Sequence, residues 1–593
     1  MMRRLIPALL GPLALSACAT VPAPDTAPPA SATAPASAAR EGMVSAADPR
    51  AVAAGVEMLR KGGSATDAAI ATMLVLNVVE PQNSGIGGGL FSVRHDGATG
   101  KIETLDGREA APGAAGPDWF YGTDGKPLSG RDIYHGGRAA GVPGALAAMA
   151  EAHRRWGKLA WAELFAPAIG LAREGFVVSA RMHNGLDLYG RHVTGWAREA
   201  YFPGGEAVAE GATLKLPVMA ATLERLAEEG PEPFYRGDIA EKIAAALNGA
   251  EKVPSAMTAA DLAGYTVIEH DPVCGTYRVY RICGMGPPAS GGVIVLAILK
   301  QLERFDMAGL GRESPVAWHL LAESERLAYA DRNMYVADPG FTQVPVAGLT
   351  DPKYLASRSA LLSPERSLAT IAAGKPEGAP ERLAAPEWAD QGTSSLTVAD
   401  GAGNIQQITT TINGYFGNGI AVGGLMLNNE LADFDAVPAK DGYLAANRVE
   451  GGKRPRSSLS PTIVYAPDGS VRMAIGAAGG STIIAQVAKA LVGVLDWNMS
   501  AQDAIAMGLI YAPGTKKATV EEGTELVAMV PALRALGEEI EVAPLGLKAN
   551  AIERVEGRWV GAADPRSEGV AMDISGNVTQ IRRRSNSLNG AHE

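Results

Sequence analysis

The sequence predicts an α+β fold in which sheets are covered by helices. Three observations carry that prediction. Helical patterns crowd the first part of the chain, strand-like alternation gathers from Ser394 onward, and a long apolar helical run follows those strands. At 593 residues the chain is too long for one small core, so one large or two intertwined domains are expected. No internal repeat is present.

The first helix is marked at both ends. Asp48 caps it, Pro49 takes its first position, Val52, Val56 and Leu59 form one stripe, and Gly62-Gly63 stops it. The next run, "ATDAAIATMLVLNVVE", is apolar nearly all round and is expected to be buried. "NSGIGGGLF" suggests a dinucleotide fingerprint, but Leu90 stands where the third glycine belongs and the stretch follows a helix. Its glycines are better read as sites of close backbone packing. "LFSVRHDGATGKIETLD" reads as strand, turn and strand, ending just before Arg108.

Residues 140–265 are mainly helical, and "ASGGVIVLAILKQLERF" and "VAWHLLAESERLAYADRNMY" continue the helices. Then come the strands "SSLTVAD", "NIQQITTTIN", "SPTIVYA" and "VRMAIGAA", the helix "STIIAQVAKALVGVLDW", and a last strand pair, "AIERVEGRWVGAAD" and "GVAMDISGN".

Hydrophobic residues at 47% and charged residues at 20% fit a soluble globular body, and a net charge of −11 argues against a nucleic-acid partner. Residues 1–17 read as a secretory signal: basic at Arg3 and Arg4, then a short apolar run. The run ends in Leu15-Ser16-Ala17-Cys18, which resembles a bacterial lipobox. That favours lipidation of Cys18 over an ordinary signal peptide, hence a periplasmic or cell-envelope protein held to the membrane by a lipid anchor only. Residues 18–40 are the lipidated cysteine and a Pro/Ala-rich, disordered tether.

Two further cysteines, Cys274 and Cys283, lie in "VCGTYRVYRICG". A two-residue turn at Arg278-Val279 puts them opposite each other at a non-hydrogen-bonded position. The pair is then either a disulfide, permitted in an exported protein, or two buried thiols.

Several chemistries have no support. The eight histidines form no HExxH, no cysteine pair has zinc-site spacing, and there is no G-x-S-x-G and no P-loop. No metal and no cofactor is expected.

The hydroxyl-rich segment "QGTSSLTVADGAGNIQQITTTINGYFGNG" holds the candidate chemistry. With Gly401–Gly403 as the turn, Asp400 pairs with Asn404, and counting outward sets Thr393 opposite Thr411 on one face. Asn413 lies two residues further along. A slip of one residue would destroy the arrangement. Threonine pairs across strands are also common structural contacts, and geometry alone favours that plainer reading. Two other segments shift the balance. "KRPRSSLSPTIV" sets Ser457 and Ser458 just before a strand, and "IGAAGGSTII" sets Gly479 and Gly480 at a strand–helix junction, where backbone N–H groups can hold an oxyanion.

"LDGREAAP", "PPASGG", "GTSSLTVAD", "TTTINGYFGNGI", "LNNELADF", "KRPRSSLSPTIV", "GAAGGS" and "ADPRSEG" occur in that order. By these motifs the chain, from about residue 40 to about residue 578, resembles the γ-glutamyltransferases (glutathione hydrolases). These are N-terminal-nucleophile enzymes made as inactive precursors.

The resemblance implies a four-layer αββα sandwich built from one precursor. Cleavage between Gly392 and Thr393 would give a large subunit, 41–392, and a small one, 393–593, that stay together as a heterodimer and one intertwined domain. It implies Thr393 as nucleophile, Thr411 as support for its hydroxyl, and Gly479 and Gly480 as the oxyanion hole. Arg108, Ser457 and Ser458 would hold the substrate α-carboxylate; Asn413, Glu430 and Asp433 would hold its α-amino group. The substrates would be glutathione and other γ-glutamyl compounds, with water, amino acids or peptides as acceptors. The residue chemistry agrees, because a zwitterionic head needs a cation, hydroxyl donors and an acidic partner. An N-terminal α-amine with a pKa near 7.7–8.0 is a suitable base for a threonine hydroxyl.

The chain also departs from the family pattern. Ser394-Ser395 follow the nucleophile where many members have Thr-His, and Gly392 stands where a polar residue is frequent. The segment 434–453 is short for a lid, with Tyr443 as its expected remnant. The rival activity is that of a β-lactam side-chain (cephalosporin) acylase of the same fold. A third reading is an uncut lipoprotein that only binds γ-glutamyl peptides.

Overall fold

The structure is a computed structural model that describes residues 41–384 and 392–579. The leader, Cys18 and the tether lie outside the described residues. Twelve strands build its centre: β1 (Met43–Ala46), β2 (Gly89–His95), β3 (Ile102–Gly107), β4 (Val273–Tyr277), β5 (Tyr280–Gly284), β6 (Ser394–Ala399), β7 (Ile405–Thr411), β8 (Thr462–Tyr465), β9 (Val471–Ala478), β10 (Lys548–Val555), β11 (Arg558–Ala563) and β12 (Val570–Asp573). They form two six-stranded sheets, β12-β1-β6-β7-β2-β3 and β11-β10-β9-β8-β5-β4, with every neighbouring pair antiparallel.

The helices α1 (Pro49–Arg60) and α2 (Ala65–Val79) pack on the first sheet, and α3 (Gly291–Leu302), α4 (Pro315–Tyr335) and α5 (Ile483–Leu495) on the second. The result is the αββα order that the resemblance implies. Side-chain alternation explains it. In β6 and β7, Leu396, Val398 and Ile408 join the core made by α1 and α2, including Val52, Val56 and Leu74. The opposite face carries Thr393, Ser395, Thr397, Gln407, Thr409 and Thr411 toward the other sheet.

That interior is polar and close. Thr397 Oγ1 donates to the Asn550 carbonyl at 3.5 Å, Asn550 Nδ2 to Ser45 Oγ at 3.0 Å, and Gln407 Nε2 to Ser395 Oγ at 3.0 Å. A Cβ on Gly476 would stand 2.2 Å from Gln407 Nε2 and 2.5 Å from Ser395 Oγ. The small side chain of Ser395 therefore matches a tight inter-sheet gap.

Asp48 caps α1, with Pro49 at its first turn, and Ser64 and Asp67 form a capping box on the wholly buried α2. Cys274 and Cys283 pair across β4 and β5, their Cα atoms 4.1 Å apart, and are joined as a disulfide, which decides between the two readings of that hairpin. Two expectations are corrected. "AIERVEGRWVGAAD" is itself two strands, β10 and β11, turning at Glu556-Gly557, both of positive φ. The stretch "GVAMDISGN" does not pair with it; its strand β12 crosses to the first sheet beside β1, whose four residues are too few to show a period.

The "GIGGGL" glycines serve close packing. Gly88 lies under the end of β7, where an added Cβ would stand 2.0 Å from the Thr411 carbonyl oxygen and 2.8 Å from Ile412 Cγ2. Gly88→Ala is expected to destabilise the fold by about 1–3 kcal/mol through overpacking. A thermal melt checks this; an unchanged midpoint would mean that β7 yields freely there.

Candidate active site

Ser394 pairs with Thr410, so the register carried one step outward sets Thr393 opposite Thr411. Their hydroxyl oxygens are 3.3 Å apart, and both residues are buried. The Thr411 hydroxyl donates to the Gly392 carbonyl at 2.9 Å and accepts the Asn413 N–H at 2.7 Å. The Thr393 hydroxyl hydrogen-bonds the same Gly392 carbonyl. In the uncut chain Thr411 thus polarises the Gly392 carbonyl as well as meeting the Thr393 hydroxyl.

Asn413 makes this geometry possible. It adopts φ 71°, a left-handed conformation that asparagine tolerates, and its side chain donates to the Asn429 carbonyl at 3.1 Å. Its own carbonyl crowds Gly392: a Cβ on residue 392 would lie 2.1 Å from the Asn413 oxygen. Glycine stands before Thr393 because no side chain fits. On the helix side, Ser394 Oγ donates to Glu80 Oε2 at 3.1 Å, and Lys548 Nζ pairs with that oxygen at 2.9 Å, tying β6 to the end of α2.

Thr393 and Thr411 open on a narrow cavity of ≈ 20 Å³, room for about one water molecule. Arg108, Asn413, Glu430, Asp433, Ser457, Ser458 and Gly480 line it as well. Of the residues picked from sequence for the reaction, only Gly479 and Gly392 are absent from the lining, and each adjoins one that is present. Three side chains that the motifs did not single out also line it: Leu459, Ser481 and Ile483.

Arg108 is wholly buried between acidic groups. It bonds Glu430 through Nη1 and Asp433 Oδ2 through Nη2 at 2.5 Å, and it also donates to the carbonyls of Pro455 and Arg456. The cation and the two carboxylates expected at opposite ends of a substrate are thus paired with one another. A zwitterion entering here would exchange these partners for its own carboxylate and ammonium. Burial pushes the Glu430 carboxyl up to about 7 against the pull of Arg108, and the charge of Asp433 adds to the rise.

Ser458 Oγ accepts from Arg332 Nη2 at 2.8 Å, and the Ser457 carbonyl accepts from the Ser290 N–H at 2.8 Å. Arg332 also donates through Nε to Ser290 Oγ at 2.7 Å, so it sets both serines from behind. It sits inside α4, where no local pattern marks it. Gly479 has φ 122°, and a Cβ there would lie 2.5 Å from the Gly546 carbonyl oxygen. It and Gly480 form the turn between β9 and α5. Ser481 Oγ accepts from the Tyr511 hydroxyl at 2.7 Å, which leaves the serine proton for the cavity it lines.

Tyr443 is exposed on a two-stranded hairpin with Lys440 and does not line the cavity. Among the described residues, the one grouping with metal-ligand spacing is His319, Glu323 and Glu538. Arg326 pairs with both of its glutamates, His319 bonds Glu538, and none of the three lines the cavity.

The family model described as gamma-glutamyltranspeptidase matches residues 51–574. The chain belongs to the γ-glutamyltranspeptidase family. The enzyme is 34% identical over 549 residues to the glutathione hydrolase proenzyme of Bacillus subtilis (strain 168), covering 90% of this chain and 92% of that one. It is 36% identical over 568 residues to the acylase ACY 1 proenzyme of Pseudomonas sp. (strain SE83), covering 93% and 96%. Among solved structures, the cephalosporin acylase from Bacillus halodurans superposes with a TM-score of 0.79 at 26% identity, over 90% of this chain and 95% of that one.

The crowding at residue 392 carries a consequence for self-cleavage of the enzyme. Gly392→Ala is expected to displace the Asn413 carbonyl, and with it the Thr411 hydroxyl, at a cost of about 1–3 kcal/mol. Cutting should slow by roughly tenfold or more. The rate at which two bands replace one on a denaturing gel checks it; wild-type cutting would refute the packing argument.

Proposed function

We propose that the enzyme cuts its own chain between Gly392 and Thr393. It then uses Thr393 to take the γ-glutamyl group of glutathione and related amides, passing it to water, an amino acid or a peptide. One observation carries this reading: the Thr393 hydroxyl meets the Gly392 carbonyl and Thr411 at the wall of a cavity that also holds Arg108, Glu430 and Asp433.

In the precursor Thr393 Oγ attacks the Gly392 carbonyl carbon while Thr411 stabilises its oxygen. The C–N bond breaks, the hydroxyl proton passes to the departing nitrogen, and an ester forms. Water opens the ester, leaving a carboxylate on Gly392 and a free α-amine and hydroxyl on Thr393. That amine is the base for turnover. Thr393 Oγ then attacks the γ-amide of the donor, the turn at Gly479 and Gly480 holds the oxyanion, and the amine leaves with a proton. Water or an acceptor amine releases the ester.

Arg108, Ser457 and Ser458 are assigned to the α-carboxylate, and Asn413, Glu430 and Asp433 to the α-ammonium. Cutting yields a large and a small subunit that remain one body, since β6 and β7 lie between β1 and β2.

The likeness to acylases keeps a second activity in view, hydrolysis of the acyl side chain of a β-lactam. Two acidic groups beside Arg108 favour an acyl group with an α-ammonium over a plain diacid. We also assign Cys18, with "LSA" before it, to a lipid anchor in the cell envelope.

Three measurements test these assignments. Thr393→Ala should remain one folded, inactive chain and Thr393→Ser should still cut, the small fragment of wild type beginning Thr-Ser-Ser-Leu-Thr. Full activity in uncut Thr393→Ala would refute the mechanism. Wild type should hydrolyse a γ-glutamyl anilide faster than its glutaryl analogue; the reverse order would make it an acylase. Cys18→Ser should move activity from the membrane to the soluble fraction, and activity still in the membrane fraction would remove the anchor.

A further inference from the structure

Three carboxyl groups share one guanidinium. Beside Glu430 and Asp433, Arg108 is faced by its own neighbour, Glu109. Glu109 is wholly buried. It is wedged between Gly89 and Gly141: a Cβ on Gly89 would lie 2.3 Å from Glu109 Oε2, and one on Gly141 2.8 Å from Glu109 Cβ. Both oxygens of Glu109, and Oε2 of Glu430, are buried without a side-chain hydrogen-bond donor, and the Glu109 carboxyl is helped by its own backbone N–H. The two carboxyl groups lie within hydrogen-bonding reach of each other.

Two carboxylates this close and this buried do not both ionise. A single proton satisfies two of these three oxygens, since it makes one carboxyl a donor and the other its acceptor. Glu430 Oε1 already takes Arg108 Nη1, so the charge belongs on Glu430 and the proton on Glu109. Tyr235 and Tyr265 are the other titratable groups facing Glu109. Their hydroxyls donate elsewhere, to the carbonyls of Pro143 at 2.9 Å and Arg108 at 2.7 Å.

We infer that Glu109 is a neutral carboxylic acid that donates to Glu430 Oε2, and that this bond holds Glu430 where it receives the α-ammonium of the donor. Glu109 is then a positioning residue that makes the pocket select α-amino acyl groups over their des-amino analogues. The inference rests on the proposed γ-glutamyl reading. Arg108 answers the carboxylate of the donor, and Glu430 and Asp433 answer its ammonium; an ionised Glu109 would add a third carboxylate charge against Glu430 and push it aside. Burial, with the charge of Glu430 adding to it, raises Glu109 well above the usual carboxylate range, in keeping with this state.

The test compares processed wild type, Glu109→Gln and Glu109→Leu with a γ-glutamyl anilide and a glutaryl anilide across pH. Glutamine keeps an N–H donor without a titrating proton, so its KM for the γ-glutamyl donor should stay within about threefold of wild type. Leucine keeps bulk and loses the donor. Its KM for the γ-glutamyl donor should rise roughly ten- to a hundredfold, the range for a hydrogen bond to a charged group, while KM for the glutaryl donor changes little. Wild type should lose affinity for the γ-glutamyl donor at lower alkaline pH than Glu109→Gln, because the donor's own amine titrates in both and Glu109 only in wild type.

Equal losses on both donors in Glu109→Leu, no loss on either, or glutamine behaving as leucine would overturn the inference alone. If Glu109→Leu does not cut itself, the alkaline limbs decide: a limb unchanged in Glu109→Gln overturns it. A wild type that prefers the glutaryl donor defeats the proposed function first, and the inference with it.

Discussion

The hydrogen bond from the Thr411 hydroxyl to the Gly392 carbonyl, 2.9 Å long, depends on one register. Slip β6 against β7 by a single residue and Thr393 turns from the inter-sheet space to the helix side, where Leu396 and Val398 are buried. The buried leucine and valine therefore enforce the position of the threonines. The rest of the architecture serves the same pair. Gly88 lets β2 close on the end of β7, and Gly476 lets the second sheet approach Ser395 and Gln407. Glu80 and Lys548 hold Ser394 from behind.

The second constraint is electrostatic. Arg108 is buried beside two carboxylates, with backbone carbonyls of Pro455 and Arg456 completing its shell. Desolvating such charges costs several kcal/mol per ion unless they are paired and hydrogen-bonded. A substrate with one carboxylate and one ammonium can replace these partners without leaving a charge bare, whereas a plain diacid offers nothing to Glu430 and Asp433. This gives a physical basis for preferring an amino acid head, on a scaffold whose relatives include both glutathione hydrolases and acylases.

Much of the site was legible in the chain. Counting outward from Gly401–Gly403 sets Thr393 against Thr411, and the observed register agrees. The cap at Asp48, the buried helix after Ser64 and the facing cysteines follow from local rules. Glu109 sits in a quoted motif, yet nothing local distinguishes a substrate-facing carboxylate from one sealed behind it. Arg332 lies in the middle of α4, and its link to Ser458 spans 126 positions. The destination of β12 was not legible either, because strand patterning reports a buried face and does not say which sheet will cover it.

By itself the sequence determined the periodic elements, the hairpin register and the order of the motifs, all set by interactions between residues near in the chain or by alternation along it. Only the tertiary structure decided what depends on distant groups meeting. It paired Arg108 with Glu430 and Asp433, set the Glu109 carboxyl against that of Glu430, and pressed the Asn413 carbonyl against Gly392. It also joined Cys274 to Cys283. Burial supplies the physical reason: the energy of a charge or a close contact is fixed by what surrounds it, and those surroundings come from parts of the chain hundreds of residues apart.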